Sequence, residues 1–372
     1  IMSAIVFAGA TPVIRHPEVD PELGISHGIS PESVEKALEA HPDAKAVLVI
    51  NPTYFGIAAD LKRIVDISHT RGIPVLVDEA HGVHIHFHES LPISAMEAGA
   101  DMAATSVHKL GGSMTQSSVL NVREGLVSSK RVQSILSMLT TTSTSYPILA
   151  SLDTARRQLA IHGHDLLSTT IRLAKDARKR INQIPNLRCV GNEILRTSAT
   201  YDIDPTKLLI SVKNLGITGH QAEEWLREKA NIEVELSDLY NILCIVTIAD
   251  SKKELTLLVN ALQRMARDFE SEVTVIEPFV TMPDIPRLAM TPRDAFYATT
   301  EVVPFAESVG RISAEFIMVY PPGIPIFIPG EIITEDNIAY IHMNIEAGLP
   351  VQGPEDDELK LIRVIKEHKA FY

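Results

Sequence analysis

The first third of the chain alternates short apolar runs with amphipathic segments. Ala46–Ile50 is a continuous apolar run, which predicts a strand covered on both faces. Apolar residues recur at helical spacing between Ala58 and Arg71, and Gly72 suits the end of a helix. Ile73–Val77 is the next predicted strand. Together these segments predict a β-α-β unit, whose crossover is almost always right-handed.

Two chemically reactive residues come at the ends of predicted strands. Asp78 follows one apolar run, and Lys109 follows the weaker strand pattern of Asp101–Val107. Alternating strands and helices predict an α/β fold with a mostly parallel sheet. Because open sheets of this kind bind ligands at the carboxyl ends of their strands, we expect Asp78 and Lys109 to share a site.

The remainder of the chain predicts two further parts. Residues from Ser151 to about Gln183 have a helical pattern, and short strands alternate with helices from Asn186 to about Met265. We therefore expect three domains. They are a large sheet domain at 1–165, a small α/β domain at 166–270 and a C-terminal domain at 271–372.

Composition narrows the range of partners. The 372 residues include 34 basic and 47 acidic side chains, a net charge of −13, which disfavours nucleic acid and suits a small cationic molecule. No apolar run reaches the roughly 18 residues of a membrane span, and no signal-peptide pattern is visible. We therefore expect a cytoplasmic location and no membrane partner. Cys189 and Cys244 lie in apolar surroundings and are expected to be buried and reduced.

Lys109 and Asp78 are the residue types that pyridoxal 5'-phosphate (PLP) requires. A lysine forms a Schiff base with the cofactor aldehyde, and an acid keeps the ring nitrogen protonated. Gly111 and Gly112 follow the lysine and allow close approach of the backbone. The alternative interpretations are a surface lysine and a turn or helix-capping aspartate. The β-α-β context favours the cofactor roles.

Polar neighbours extend the predicted site. Ser106 and His108 flank the turn that carries the lysine and are candidates to donate hydrogen bonds to a phosphate. His81, three residues after the acid, is a candidate contact for the cofactor ring oxygen or the substrate. The hydroxyl-rich segment Thr140–Tyr146 is either a surface loop or a contact to a phosphate in a partner subunit.

Three histidines alternate just beyond this acid. On a strand, His84, His86 and His88 would share one face, as metal ligands do. No second cluster of ligands completes the set. We therefore expect an exposed polar loop here and no metal.

These residues and several later motifs resemble the ornithine/lysine/arginine decarboxylase family of fold type I PLP enzymes. The likeness is strongest to the compact Gram-positive form without the N-terminal wing domain. The matching stretches run in family order over nearly the whole chain, at 77–82, 106–109, 115–118, 140–143, 290–296, 309–315, 320–325 and 329–331. The resemblance implies a fold type I PLP-dependent transferase-like large domain, a small α/β domain and a C-terminal α+β domain.

The resemblance also implies residue roles. Lys109 would be the Schiff-base lysine, Asp78 the partner of the ring nitrogen, and His81 a cofactor contact. Ser106 and His108 would lie on the phosphate side, and Lys109 or His108 would protonate the product.

Other implied roles lie outside this segment. Thr141 and Ser143 would come from the neighbouring subunit, so a homodimer with shared active sites is the smallest working unit. Glu331 would lie near the distal amine of the substrate. The implied reaction converts arginine, lysine or ornithine to carbon dioxide and an amine that is a polyamine precursor. The alternatives are another fold type I PLP enzyme, of the aminotransferase or aldolase type, and a non-catalytic homologue.

The chain departs from the family pattern at two places. Thr144 and Ser145 stand where many relatives have a proline and another residue. In addition, no glycine-rich phosphate loop or ring-stacking histidine precedes Ser3–Phe7. We therefore expect the chain as given to bind PLP poorly or not at all.

Overall fold

The computed structural model describes residues 1–269, 283–319, 324–346 and 351–366. The chain divides into two compact units, one of Ile1–His16 with Pro278–Tyr372 and the other of Pro17–Glu277. Helix α1 (Met2–Ala8) belongs to the first of these units. No helix in the described ranges is long and apolar enough to cross a bilayer.

The first half of the larger unit holds the predicted alternation of strands and helices. Its elements are α2 (Pro31–Ala40), β1 (Val47–Ile50), β2 (Ile57–Ala58), α3 (Leu61–His69), β3 (Val75–Asp78), α4 (Ala95–Ala98), β4 (Met102–Ser106), α5 (Val107–Leu110), β5 (Ser118–Val122), α6 (Ser129–Leu139) and α7 (Tyr146–Ile181).

Four of these strands form one sheet in the order β1-β3-β4-β5. Strands β1, β3 and β4 are parallel and β5 is antiparallel to β4, so the predicted mostly parallel sheet is confirmed. Asp78 is in register with Ile50 on one side and Ala104 on the other. The carboxyl ends of β3 and β4 therefore lie side by side.

Only one face of β1 is covered in the described structure. Val49 packs in a core with residues of α2 and α3, such as Leu38 and Ile64. Leu48 and Ile50 on the opposite face are 47% and 50% exposed. The expectation of two covered faces is therefore wrong for this strand, because alternate side chains of a strand point to opposite faces and helices pack on only one of them.

The second half of the larger unit forms a four-stranded antiparallel sheet. Its elements are β6 (Arg188–Cys189), β7 (Asp202–Ile203), β8 (Lys207–Ser211), α8 (Gly219–Ala230), β9 (Leu236–Ser237), β10 (Asn241–Ile245) and α9 (Lys252–Asp268). The sheet order is β6-β8-β10-β9, and β7 pairs instead with β2. Cys189 and Cys244 are free and buried as predicted, and burial raises the pKa of both thiols to about 12.

The smaller unit combines one longer helix with short strands. After α1, its elements are α10 (Pro292–Tyr297), β11 (Thr300–Pro304), β12 (Ile317–Val319), β13 (Ile324–Phe327), α11 (Glu335–Glu346), β14 (Val351–Gln352) and β15 (Leu361–Ile365). Thr291 caps α10 by accepting a hydrogen bond from the Asp294 backbone, and Pro292 occupies the first turn. Residues 320–323 of the family-matching stretch 320–325 lie outside the described residues.

Candidate active site

Asp78 is the last residue of β3, and the segment after it is fixed by its neighbour Glu79. The Glu79 side chain is fully buried and accepts hydrogen bonds from the Ala95 backbone N–H at 2.7 Å and from the Thr105 hydroxyl at 3.0 Å. His86 Nε2 lies 2.7 Å from the same carboxylate. Glu79 therefore ties the end of β3 to β4 and α4. Its position next to Asp78 was the only sequence signal for this role.

Lys109 lies in α5, the single helical turn that begins directly after β4. Its Nζ is 2.9 Å from Nε2 of His81, which is 5% exposed. The same amine lies 5.7 Å from the centre of the Tyr54 ring, and that ring packs 4.3 Å from the His81 ring. The structure thus brings Lys109 and His81 together at the strand end that carries Asp78.

A second lysine of the larger unit reaches His81 from the antiparallel sheet. Lys207 begins β8, is 1% exposed, and places Nζ 3.4 Å from Nδ1 of His81. Asp204 lies just before it, is fully buried, and its carboxylate is 2.7 Å from Nε2 of His84. Lys207 and Asp204 were not among the predicted site residues. The available signal was a lysine at the start of the apolar run Lys207–Ser211.

The electrostatics of this cluster follow from burial. Burial, together with the nearby charges of Lys207, Lys109 and His84, lowers the pKa of His81 to about 3. Burial also lowers the pKa of Lys207 to about 8, against the opposing effect of Asp204. Burial alone would raise the pKa of Asp204, but His84, Lys207 and a Thr206 hydrogen bond bring it well below its usual value. At neutral pH, therefore, His81 is neutral and Asp204 is ionised.

Ser106 and His108 lie just before Lys109, at the start of α5. Nδ1 of His108 is 2.8 Å from the Ser117 carbonyl, which only accepts, so this nitrogen carries the hydrogen. Ser106 is the N-cap residue of α5, but its side chain makes no capping hydrogen bond. Among the described residues, neither the Ser106 hydroxyl nor Nε2 of His108 has a hydrogen-bond partner. Both atoms are available to a ligand.

Thr141 and Ser143 lie in the exposed loop between α6 and α7. The Ser143 backbone N–H donates to the Thr141 hydroxyl at 3.1 Å, and both side chains are exposed to solvent. Their exposure fits either of the two predicted interpretations of this segment.

Glu331 belongs to the smaller unit. It is 3% exposed and accepts a hydrogen bond from the Ile328 backbone N–H at 2.8 Å. Burial raises the pKa of its carboxyl to about 7. A neighbouring cation would stabilise the ionised form of this buried carboxyl group.

The three alternating histidines do not form a strand. Residues Ile85–Phe87 are a turn of 3₁₀-helix, and His84 is buried against Asp204. The expected exposed polar loop is therefore wrong for His84, because its ring satisfies a buried carboxylate.

His88 instead lies near Glu89 and His164. Their ligand atoms are within 4.8 Å of one another. Nδ1 of His88 already accepts the Ser90 N–H at 3.1 Å and its Nε2 is 2.9 Å from the Ser168 hydroxyl. A metal would have to displace one of these hydrogen bonds.

The residues at the strand ends fit PLP. Asp78 accepts one hydrogen bond, from the Ala80 N–H at 3.2 Å, and within the described ranges its second oxygen has no partner. That oxygen can accept a hydrogen bond from the N–H of a pyridinium. Lys109 has no carboxylate within 4.0 Å among the described residues, so no ion pair must break before its amine reacts.

Comparison with known proteins shows the family of the chain. Residues 1–254 match the model of the Orn/Lys/Arg decarboxylase major domain, and residues 277–355 match that of the Orn/Lys/Arg decarboxylase C-terminal domain. An arginine decarboxylase of Halalkalibacterium halodurans is 71% identical over 371 residues, which are 100% of this chain and 76% of that protein. An arginine decarboxylase of Bacillus subtilis is 67% identical over 371 residues, again 100% of this chain and 76% of that protein.

Solved structures show the same fold at lower identity. A lysine decarboxylase of Francisella novicida superposes with a TM-score of 0.82 at 21% identity, over 98% of this chain and 64% of that one. The Escherichia coli constitutive lysine decarboxylase superposes with a TM-score of 0.79 at 20% identity, over 98% of this chain and 65% of that one. These matches confirm the fold type I architecture. The chain therefore belongs to the Orn/Lys/Arg decarboxylase family, the PLP-dependent enzymes that decarboxylate basic amino acids.

Proposed function

We propose that the protein decarboxylates arginine, with Lys109 and Asp78 as its principal cofactor residues. The observation that carries the choice of arginine is the identity of 71% and 67% to two arginine decarboxylases over the full length of the chain. The match of residues 277–355 to the family's C-terminal domain favours a decarboxylase over an aminotransferase or aldolase.

The residue roles are proposed from their contacts. Bound PLP would supply an electron sink for the bond that loses carbon dioxide. Lys109 would hold the cofactor aldehyde, and Asp78 would keep the ring nitrogen protonated from the end of β3. His81 would orient the Lys109 amine through their 2.9 Å contact. Lys109 or His108 would return a proton to the product carbon.

Ser106, His108, Thr141 and Ser143 are proposed as phosphate ligands, the last two acting across a homodimer. Supporting the dimer, none of the residues of α6 is buried, although Met138 and Leu139 at its end are large and apolar. Glu331 is proposed to recognise the distal cation of the substrate, because a buried carboxylate gains from an ion partner. A planar guanidinium would satisfy both of its oxygens.

Three wider assignments are also proposals. The domain bounds 1–165, 166–270 and 271–372 follow from the sequence pattern. A cytoplasmic location and a part in polyamine biosynthesis follow from composition and from the expected product. Each is testable independently of the active site.

The decisive experiment measures carbon dioxide and amine formation from arginine, lysine and ornithine with the purified full-length protein and PLP. Arginine should be preferred, and Lys109→Ala should lose both the lysine-linked cofactor absorbance and turnover. The exposed Lys62→Ala on α3 is the matched control and should keep both. Preference for lysine would overturn the substrate assignment, and a keto-acid product would overturn the reaction.

A further inference from the structure

Two histidines and a glutamate meet in the larger unit, and none of them belongs to the residues assigned to PLP. His88 and Glu89 follow the 3₁₀ turn Ile85–Phe87, and His164 lies in α7. One ligand atom of each residue lies within 4.8 Å of the other two. We propose that His88, Glu89 and His164 bind one divalent transition-metal ion such as zinc. The proposal goes beyond the decarboxylase function and does not depend on it.

The distances in this cluster are close to those of a metal site. Oε2 of Glu89 is 3.2 Å from Nε2 of His164 and 3.9 Å from Nδ1 of His88. Since bonds from zinc to nitrogen and oxygen are about 2.0–2.2 Å, two ligand atoms of a tetrahedral site lie about 3.3 Å apart. The first distance already has this value. The second needs a shift of about half an ångström, which the exposed Glu89 side chain can make.

The His88 ring has the tautomer that metal binding through Nδ1 requires. Nδ1 accepts a hydrogen bond from the Ser90 backbone N–H at 3.1 Å, so the hydrogen of the neutral ring is on Nε2. Nε2 lies 2.9 Å from the Ser168 hydroxyl, which accepts that hydrogen. A metal-binding histidine usually donates its other N–H to such an acceptor. A metal at Nδ1 would displace only the N–H of the exposed Ser90, which water can then accept from.

The second histidine has a comparable neighbour. Oδ1 of Asp165 is 3.6 Å from Nδ1 of His164. With Nε2 of His164 on a metal ion, the hydrogen of the ring is on Nδ1 and faces this carboxylate. Both rings therefore have an acceptor on the side away from the proposed ion, as orienting partners of metal ligands do.

Packing holds the two ligand-bearing segments together. Gly163 and Phe87 are the chain neighbours of two of the ligands, and a Cβ at Gly163 would lie only 3.1 Å from Cβ of Phe87. Leu91 and Leu167 belong to one buried cluster on the other side of the ligands in the chain. The imidazole rings are nearly parallel, at 16°, with their centres 4.7 Å apart. The site is therefore arranged before an ion binds, which favours affinity.

The ligand types select the class of ion. Imidazole nitrogens suit zinc, copper and nickel, whereas magnesium and calcium prefer oxygen ligands. Two imidazoles and one carboxylate supply three ligands of a tetrahedral zinc ion, and water can supply the fourth. The alternating histidines of the sequence pattern lacked further ligands, and α7 supplies one. The alternative is an exposed ion pair of His164 with Glu89, which would contribute little to stability.

Isothermal titration calorimetry tests the proposal on purified full-length protein without a histidine tag, after a chelator has removed bound metal. Zinc chloride should show one site per chain that magnesium chloride does not compete for. His164→Gln and Glu89→Gln, both at exposed positions, should each weaken zinc binding by more than tenfold. Ser168→Ala should weaken it by about tenfold, because loss of an orienting partner typically has that effect.

The matched control is His162→Gln, an exposed position on the same helix that lies outside the ligand group. It should bind zinc as the wild type does, and circular dichroism should show all variants folded. Wild-type protein without zinc binding would overturn the proposal and leave the ion pair. Equal affinity in the wild type, His164→Gln and Glu89→Gln would also overturn it, because the ion would then be bound elsewhere.

Discussion

At the scale of single residues, the site depends on where side chains leave their strands. Asp78 ends β3, while Lys109 lies one helical turn beyond β4. Register between β3 and β4 puts both residues at one edge of the sheet. Among the described residues, Asp78 accepts one side-chain hydrogen bond, from the Ala80 N–H, and the Lys109 amine has one hydrogen-bond contact, with His81. Both side chains can therefore still bind a ligand.

Asp78→Asn removes the charge that would hold a pyridinium and keeps the side-chain shape. We expect kcat to fall by roughly 10²–10³-fold, because the ring nitrogen is then protonated less often. Steady-state carbon dioxide release measures this. Asp66→Asn on the exposed side of α3 is the control, and equal activity of the two variants would exclude the proposed role of Asp78.

Glu331 makes stability depend on pH. Its folded pKa, about 7, lies above the ordinary value of 4.5 because of burial. The native state therefore holds a proton that the unfolded state has lost, and stability falls as pH rises from about 4.5 to 7. One such group corresponds to a loss of about 3 kcal/mol over this range.

Glu331→Gln should remove that part of the pH dependence. Urea unfolding at pH 5 and pH 7.5 would show a smaller difference for the variant than for the wild type. The amide oxygen of glutamine still accepts from the Ile328 N–H, so the hydrogen bond is kept. Identical pH dependence in both proteins would contradict the buried, protonated state.

At the scale of elements, helix α8 shows how close packing overrides local propensity. Its first residue, Gly219, approaches the neighbouring chain so closely that a Cβ would lie 2.1 Å from the Asn241 carbonyl oxygen. The helix is well capped, since Thr218 and Gln221 form a capping box. Alanine is the better helix former, yet it cannot fit here.

We therefore expect Gly219→Ala to destabilise the larger unit by about 3 kcal/mol. The exposed Glu224→Ala in the same helix should change stability by less than about 0.5 kcal/mol. Chemical denaturation of both variants tests this. A Gly219→Ala protein as stable as the wild type would mean that the start of α8 does not pack this closely against the start of β10.

At the scale of the whole molecule, the three most exposed large apolar side chains among the described residues lie close together along the chain. Met138 and Leu139 at the end of α6 are 80% and 75% exposed, and Tyr146 at the start of α7 is 79% exposed. Large clustered apolar side chains of this kind mark a protein interface. The loop of Thr141 and Ser143 lies between them.

The double variant Met138→Glu and Leu139→Glu should convert the proposed dimer to a monomer and lower the activity. Charges on an apolar interface must be buried without partners, which is unfavourable. Sedimentation velocity gives the oligomeric state. The exposed Leu257→Glu on α9, 54% exposed, is the control and should leave the dimer intact. A dimer that survives the double variant would place the interface elsewhere.

Much of the fold was predictable because it depends on local pattern. The apolar runs around Val49 and Val77 became strands, and the helical spacing after Ser151 became the second part of α7. Gly72, predicted to end a helix, has a positive φ of 68° just after α3. The one-sided covering of β1 was not predictable, because a run of four apolar residues looks the same whether one face or both are packed.

The sequence by itself indicated the family through motifs along nearly the whole chain, and the parallel sheet through strand periodicity, which is a local signal. It also put Asp78 and Lys109 at the ends of two strands that lie side by side in the sheet. Only the tertiary structure decided that Lys207, 98 residues beyond Lys109 in the chain, approaches the opposite nitrogen of His81. It likewise decided that His84 pairs with Asp204. These contacts join segments that are distant in the chain. They depend on tertiary packing, such as the pairing of β2 with β7, and no short stretch of sequence encodes that packing.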